Sequence, residues 1–135
     1  MTNGYEIKDS HKHREFSTGA NRDSKIGKGR FDLVPPATLR ALAIHYEKGA
    51  RKYADRNWEK GIPIGEFIDS GLRHINQFLD GQDDENHLIA GLWNIFCAYE
   101  TILRIQNGRL PKELYNLPFK VVLSDPYAKE EKKET

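Results

Sequence analysis

The sequence has one cysteine, Cys97, in 135 residues. A disulfide scaffold is excluded, and a lone thiol inside an apolar run reads as a buried, inert group. An excess of one charge is lacking too: 21 basic residues stand against 20 acidic ones, for a net charge of +1. No overall field draws in nucleic acid, so stable nucleic-acid binding is not expected, and an anionic ligand must be held by local arrangement. No run reaches the roughly 18 consecutive apolar residues of a membrane span, and the opening MTNGYEIKDSHKHRE has no apolar stretch of signal-peptide length. No membrane partner is expected, and the expected location is the cytoplasm. There is no Walker-type glycine-rich loop and no nucleophile elbow. No histidine directly precedes an aspartate, so the dyad of an HD-type triphosphohydrolase is missing.

What is present reads as one domain, 1–135: a polar arm over 1–29, a helical core over 30–107 and a C-terminal arm over 108–135. The first 29 residues are rich in Ser, Asn, Gly and Lys and predict loop or a partly ordered arm. His11 and His13 read as solvated. Lys28 and Arg30 lie among glycines, where a flexible basic loop can wrap phosphate or simply meet water.

A first helix is expected from Pro36, with Leu39, Leu42, Ala43, Tyr46, Ala50 and Tyr53 on one face and Arg40, Glu47, Arg51 and Asp55 on the other. Gly49 weakens that helix by about 1 kcal/mol relative to Ala, which suggests close approach by a backbone or a ligand. The loop ADRNWEKGIPIG follows, and its Trp58 is either a lid on the core or a surface for stacking a base. A second helix is expected over 65–80 and a third over 84–106, joined by the acidic turn GQDDE, in which Asp83 or Asp84 can cap the third. The third helix is apolar almost all round, as in a central helix or a subunit interface. One stripe differs: Asp84, His87, Gly91, Asn94 and Ala98. The two prolines near 111 and 118 argue against another long helix, and FKVVL can be a short strand or a docking arm.

The hairpin from Asp69 to Asn94 therefore carries polar residues among large apolar ones, the pattern of a lined pocket. Hard divalent cations take carboxylates and substrate phosphates, and Asp69, Asp84 and His87 are suitable ligands, with Asp84, Glu85 and His87 as the catalytic group. Glu66 shares a helix face with Asp69, as Asp84 does with His87. In an antiparallel hairpin Asp69 falls opposite about Ile95, whereas His74 falls near His87, so the ligands form an elongated site or come partly from another helix or subunit; Glu47 is the expected extra acid. The histidines show neither zinc-finger nor HExxH spacing, which disfavours tetrahedral zinc. Lys28, Arg30, Lys52 and Arg73 suit phosphate, Tyr53, Asn57 and Trp58 suit a nucleoside, and His74 and Asn94 complete the expected substrate contacts.

GRFDLVPP, YEKGARKYADRNWEKG, DSGLRHINQFLDG and DDENHLIAGLWN together resemble the phage MazG-like dATP/dGTP diphosphohydrolases of the MazZ type, over roughly Lys28 to Glu100. The resemblance implies an all-α helical bundle of the MazG-like NTP pyrophosphatase type. It implies two or three magnesium or manganese ions per site and hydrolysis of dGTP or dATP to the monophosphate and pyrophosphate. It also implies a homo-oligomer, dimer or tetramer, with shared active sites, working in the host cytoplasm, where dGMP can supply 2-aminoadenine DNA synthesis. General MazG enzymes carry EExxE and then ExxD; the comparable positions here read EFID and DENH, with fewer acids and a histidine. The competing expectations are a helical interaction module without activity and a hydrolase that releases triphosphate.

Overall fold

The computed structural model describes residues 4–128, which group into two units, one of residues 4–33 and one of residues 34–128. The charged KEEKKET tail lies outside the described residues.

The N-terminal unit is a partly ordered arm that holds one short hairpin. Strand β1 (His13–Glu15) pairs antiparallel with β2 (Asn21–Asp23), Arg14 opposite Arg22. Gly19, at φ +84°, closes the turn between them, donating its N–H to the Phe16 carbonyl at 2.8 Å. Strands this short have no apolar alternation to betray them. Asp23 fastens the unit: the Ser10 hydroxyl and the backbone N–H groups of Ser10 and Ser24 donate to it, and Lys28 lies 3.4 Å away. Those donors, the Ser10 hydroxyl first, hold its carboxyl well below the usual range.

Residues 34–128 form an all-α unit of three helices: α1 (Pro36–Lys52), α2 (Ile64–Leu79) and α3 (His87–Gln106). Pro36 begins α1 because its fixed φ suits the first turn and its missing N–H has no intrahelical partner there. The third helix starts later than expected, and neither Asp83 nor Asp84 caps it. Asn86 does, its side-chain oxygen accepting the Ile89 N–H at 3.1 Å. Asp84 is taken up by His87 instead, as described below.

Helix α3 is the central one. Phe67 from α2 and Cys97 and Ala98 from α3 form the core, with Tyr46, Trp58, Ile62, Ile68 and Trp93 packed around them. Burial raises the Cys97 thiol to about 12, so it is the inert group expected. By length and composition α3 is the one helix among the described residues apolar enough to cross a membrane. It nonetheless buries His87, Asn94 and Thr101, the last two donating to carbonyls one turn back at 2.8 and 2.7 Å. Its outer side is not covered: Phe96 is 49% exposed and Phe78 of α2 equally so. On α1, Leu42 is buried but Leu39 and Tyr53 of the expected apolar face are mostly exposed.

Glycine sets the approach of α2 to α3. A Cβ on Gly91 would lie 3.2 Å from Ile75 Cγ1 and 3.4 Å from the Gly71 carbonyl oxygen. A Cβ on Gly71 would meet Asn94 Cβ and Ile95 Cδ1, both at 3.4 Å. FKVVL forms no strand. It runs extended and docks back on α3, where Gln106 accepts the Leu123 N–H and donates to the Leu123 carbonyl, at 2.8 and 3.0 Å.

Gly91→Leu should therefore lower stability by roughly 1–3 kcal/mol, the cost of overpacking a close helix contact, despite leucine's better helix propensity. A urea midpoint at or above that of the parent chain would contradict the close approach.

Candidate active site

A cavity of about 710 Å³ opens between α1, α2 and the Asn57–Lys60 turn, and α3 closes it with Trp93 and Asn94. Each helix contributes a stripe. From α1 come His45, Lys48, Gly49 and Lys52; from α2 come Glu66, Ser70, Arg73 and His74. Both sets recur at three and four residues, so each lies on one face. Gly49 has nothing within 4 Å of where a Cβ would stand. No backbone packs on it, and it faces the open cavity. Tyr53, Ala54, Arg56 and Asn57 line the mouth between α1 and the turn. Ala54 and Arg56 have φ of +152° and +59°, unfavourable for residues with a Cβ, at a cost of order 1–3 kcal/mol each.

One wall is aromatic. Trp93 packs edge-on to Tyr46 and Phe67, with centroids 6.0 and 6.2 Å apart, and lies 5.4 Å from the His45 ring. Trp58 is held from behind by Arg104, whose guanidinium sits 5.4 Å from the ring and which pairs with Glu59 and Glu100. Trp58 is thus a packed wall of the cavity as well as a cover on the core. The indole Nε1 of Trp93 is the one buried side-chain nitrogen or oxygen among the described residues with no hydrogen-bond partner.

The other wall carries charge and imidazole. His74 Nδ1 lies 3.0 Å from His87 Nδ1 and 3.2 Å from Glu85 Oε1; His87 Nδ1 is 3.4 Å from the same oxygen. These three ligand atoms lie within 4.8 Å of one another, spacing that can hold a metal ion. The buried His87 donates from Nε2 to Asp84 Oδ1 at 2.7 Å, and accepting that hydrogen bond keeps the Asp84 carboxyl below its usual range. His45 is shifted down from 6.5: burial disfavours its cation most, Glu85 counters it, and His74 and Lys48 add to the fall. It is a neutral base at pH 7.

Of the residues expected from sequence, Lys52, Tyr53, Asn57, Trp58, Arg73, His74, Glu85 and Asn94 line the cavity, and Asp84 and His87 adjoin it through His74. Glu47 and Asp69 do not. Glu47 is exposed and 3.5 Å from Arg51; Asp69 is exposed and bound by Arg73, one turn on. Each lies on the solvent side of its helix. Lys28 and Arg30 belong to the N-terminal unit, where Lys28 meets Asp23 and Arg30 clasps Asp32 with two hydrogen bonds of 2.7 and 2.8 Å. Sequence reasoning passed over His45, Lys48 and Arg56. The first two could be found from the spacing His45, Lys48, Lys52; Arg56 sits where it does through a left-handed backbone that no pattern announces.

The cavity of this all-α unit brings together a cationic stripe, tilted and edge-on aromatic rings and a clustered imidazole–carboxylate group. A sequence model of the family described as dATP/dGTP diphosphohydrolase, N-terminal, matches residues 18–109, more than half of the chain and all three helices. The chain belongs to that family, a group of diphosphohydrolases named for dATP and dGTP. No curated protein and no solved structure matches it.

The His45 ring should titrate below 6.5 when its imidazole protons are followed by NMR against pH. Unfolding restores the ordinary value, so the unfolded chain takes up the proton first. Acidification from about pH 6.5 down through the folded value then weakens the fold. A midpoint at or above 6.5 would contradict the burial of His45 in this wall.

Proposed function

We propose that the chain hydrolyses dGTP or dATP, with the help of a divalent cation, to the deoxynucleoside monophosphate and pyrophosphate. The observation that carries this reading is a single cavity lined at once by aromatic rings, by Lys48, Lys52, Arg56 and Arg73, and by the His74–Glu85 pair. Its volume is within the range of about 300–1,000 Å³ usual for small-ligand sites. The purine is assigned to the Trp58 and Trp93 wall, where stacking tolerates either base. Lysine and arginine heads take the phosphates, arginine by paired hydrogen bonds.

The donor set of His74, Glu85 and His87 fits a divalent cation, and Asp84 holds His87 with Nδ1 turned to the cluster. Such an ion, bound there as magnesium or manganese, supplies Lewis-acid polarisation of phosphate oxygen and a more acidic water. His45, neutral and facing the cavity, accepts the proton of the attacking water. That oxygen bonds to the α-phosphorus, the bond from this phosphorus to the bridging oxygen breaks, and pyrophosphate leaves.

A homo-oligomer, a dimer in its simplest form, accompanies this reading. Leu72, Ile75, Phe78 and Leu79 of α2 and Leu88, Ile95, Phe96 and Tyr99 of α3 are all more than a third exposed. That is more apolar helix surface than a monomer keeps wet. Work in the cytoplasm of a phage's host and a supply of dGMP for 2-aminoadenine DNA belong to the same proposal, through the family likeness.

With dGTP or dATP and manganese or magnesium, separation of products should give the monophosphate and pyrophosphate in equal amounts. Release of orthophosphate or of triphosphate would sink the proposal, and absence of turnover on every nucleotide would leave an interaction module. Trp58→Ala should raise KM about 10-fold or more, since stacking on one aromatic ring is worth roughly 1–3 kcal/mol per base. Light scattering in line with size exclusion should give at least twice the 15.6 kDa chain mass; a monomer at micromolar concentration would remove the oligomer.

A further inference from the structure

We propose that His74 Nδ1, Glu85 Oε1 and His87 Nδ1 form a one-ion centre that takes a first-row transition cation in preference to magnesium, with Asp84 as its positioning residue. The proposal rests on the cation-dependent reading of this cavity and specifies which kind of cation that is.

Two nitrogen donors and one carboxylate oxygen converge here from two elements, His74 from α2 and the Glu85–His87 pair from the start of α3. Zinc-finger and HExxH spacings place histidines along one segment. Here the pair is made across a helix crossing, thirteen residues apart in the chain. Donor identity then selects the ion. Magnesium asks for oxygen ligands in a near-octahedral shell, whereas imidazole favours iron, cobalt, nickel and zinc, and two histidines with one carboxylate is a set known for transition ions.

The hydrogen bonding points the same way. His87 spends its Nε2–H on Asp84, so in the neutral ring Nδ1 is a lone pair. That lone pair faces a second imidazole nitrogen at 3.0 Å and a carboxylate oxygen at 3.4 Å. A proton on His74 Nδ1 joins these atoms in the absence of an ion, and a cation can take its place; a carboxylate that holds the far nitrogen of a ligating histidine is the usual outer partner of a metal site. The N-terminal end of α3 works against a cation, with about half a positive charge. Asp84 and Glu85 together bring two full negative charges and outweigh it.

The test uses the full chain, stripped by a chelator and then dialysed against cobalt(II) or magnesium(II). One cobalt per chain should bind with a ligand-field absorption band, at least about 100-fold more tightly than magnesium, as nitrogen donors require. His74→Gln should abolish the band. Asp84→Ala should weaken cobalt binding about 10–100-fold, the usual loss for an outer partner, in a protein whose helical circular dichroism is unchanged. Asp84→Asn, whose amide oxygen still accepts the His87 N–H, should recover most of the affinity, which a merely structural role would not predict. Equal affinity for the two ions, or an unchanged band in His74→Gln, overturns the centre. Cobalt binding without any nucleotide hydrolysis would support the centre while sinking the proposed reaction. Hydrolysis with magnesium alone, and no cobalt binding, would do the reverse.

Discussion

The closest approach of α2 to α3, at Gly71 and Gly91, is the constraint on which the site depends. His74 lies three residues after Gly71 and His87 four residues before Gly91, so each is one turn from the crossing. A Cβ on Gly91 would come within 3.8 Å of His74 Cβ. Holding two helices that close, with no side chain between them, leaves the imidazoles no choice but to meet. Larger residues at the crossing would spread the helices toward the usual 8–10 Å axial separation and part the rings. The same crossing brings Asn94 and Trp93 to the cavity from the far side. Packing and chemistry are here one requirement.

Charge in the site is divided in a way that the near-neutral total conceals. Lys48, Lys52 and Arg56 line it from α1 and the turn after it, while Glu85 and Asp84 come from the turn before α3. An anion and a cation can therefore be held side by side, each by groups of the opposite sign. His45 lies between these influences, with Lys48 and Glu85 shifting it in opposite directions and burial deciding the outcome. A neutral imidazole among fixed charges is what a proton acceptor near pH 7 requires.

Much of the architecture was legible. Proline at the start of α1, glycine after α3 and the three- and four-residue apolar spacings gave three helices to within three residues at each end. The antiparallel hairpin register also brings His74 to His87, as the sequence implies. Which way the acids face was less legible. Glu47 and Asp69 looked like ligands because they are carboxylates on helices that build the site, but both belong to stripes turned outward and are held by arginines one turn away. The inward stripes, His45–Lys48–Lys52 and Glu66–Ser70–Arg73, have the same periodicity. They differ only in which apolar neighbours they flank, so the sequence allowed either choice. The β-hairpin and the left-handed turn at Arg56 rest on backbone geometry, which leaves little trace in residue type.

The segment after α3 has a consequence for the order in which the chain folds. Asn116 accepts the Gly65 N–H at 2.8 Å, fifty-one residues away, and Gln106 grips the Leu123 backbone in both directions. Contacts of that span close large loops and form late, whereas the α2–α3 hairpin is local and can form early. The start of α2 and the end of α3 are thus tied down by the last part of the structure to arrive. During synthesis the hairpin that brings the two histidines together can be complete while this clasp is still leaving the ribosome.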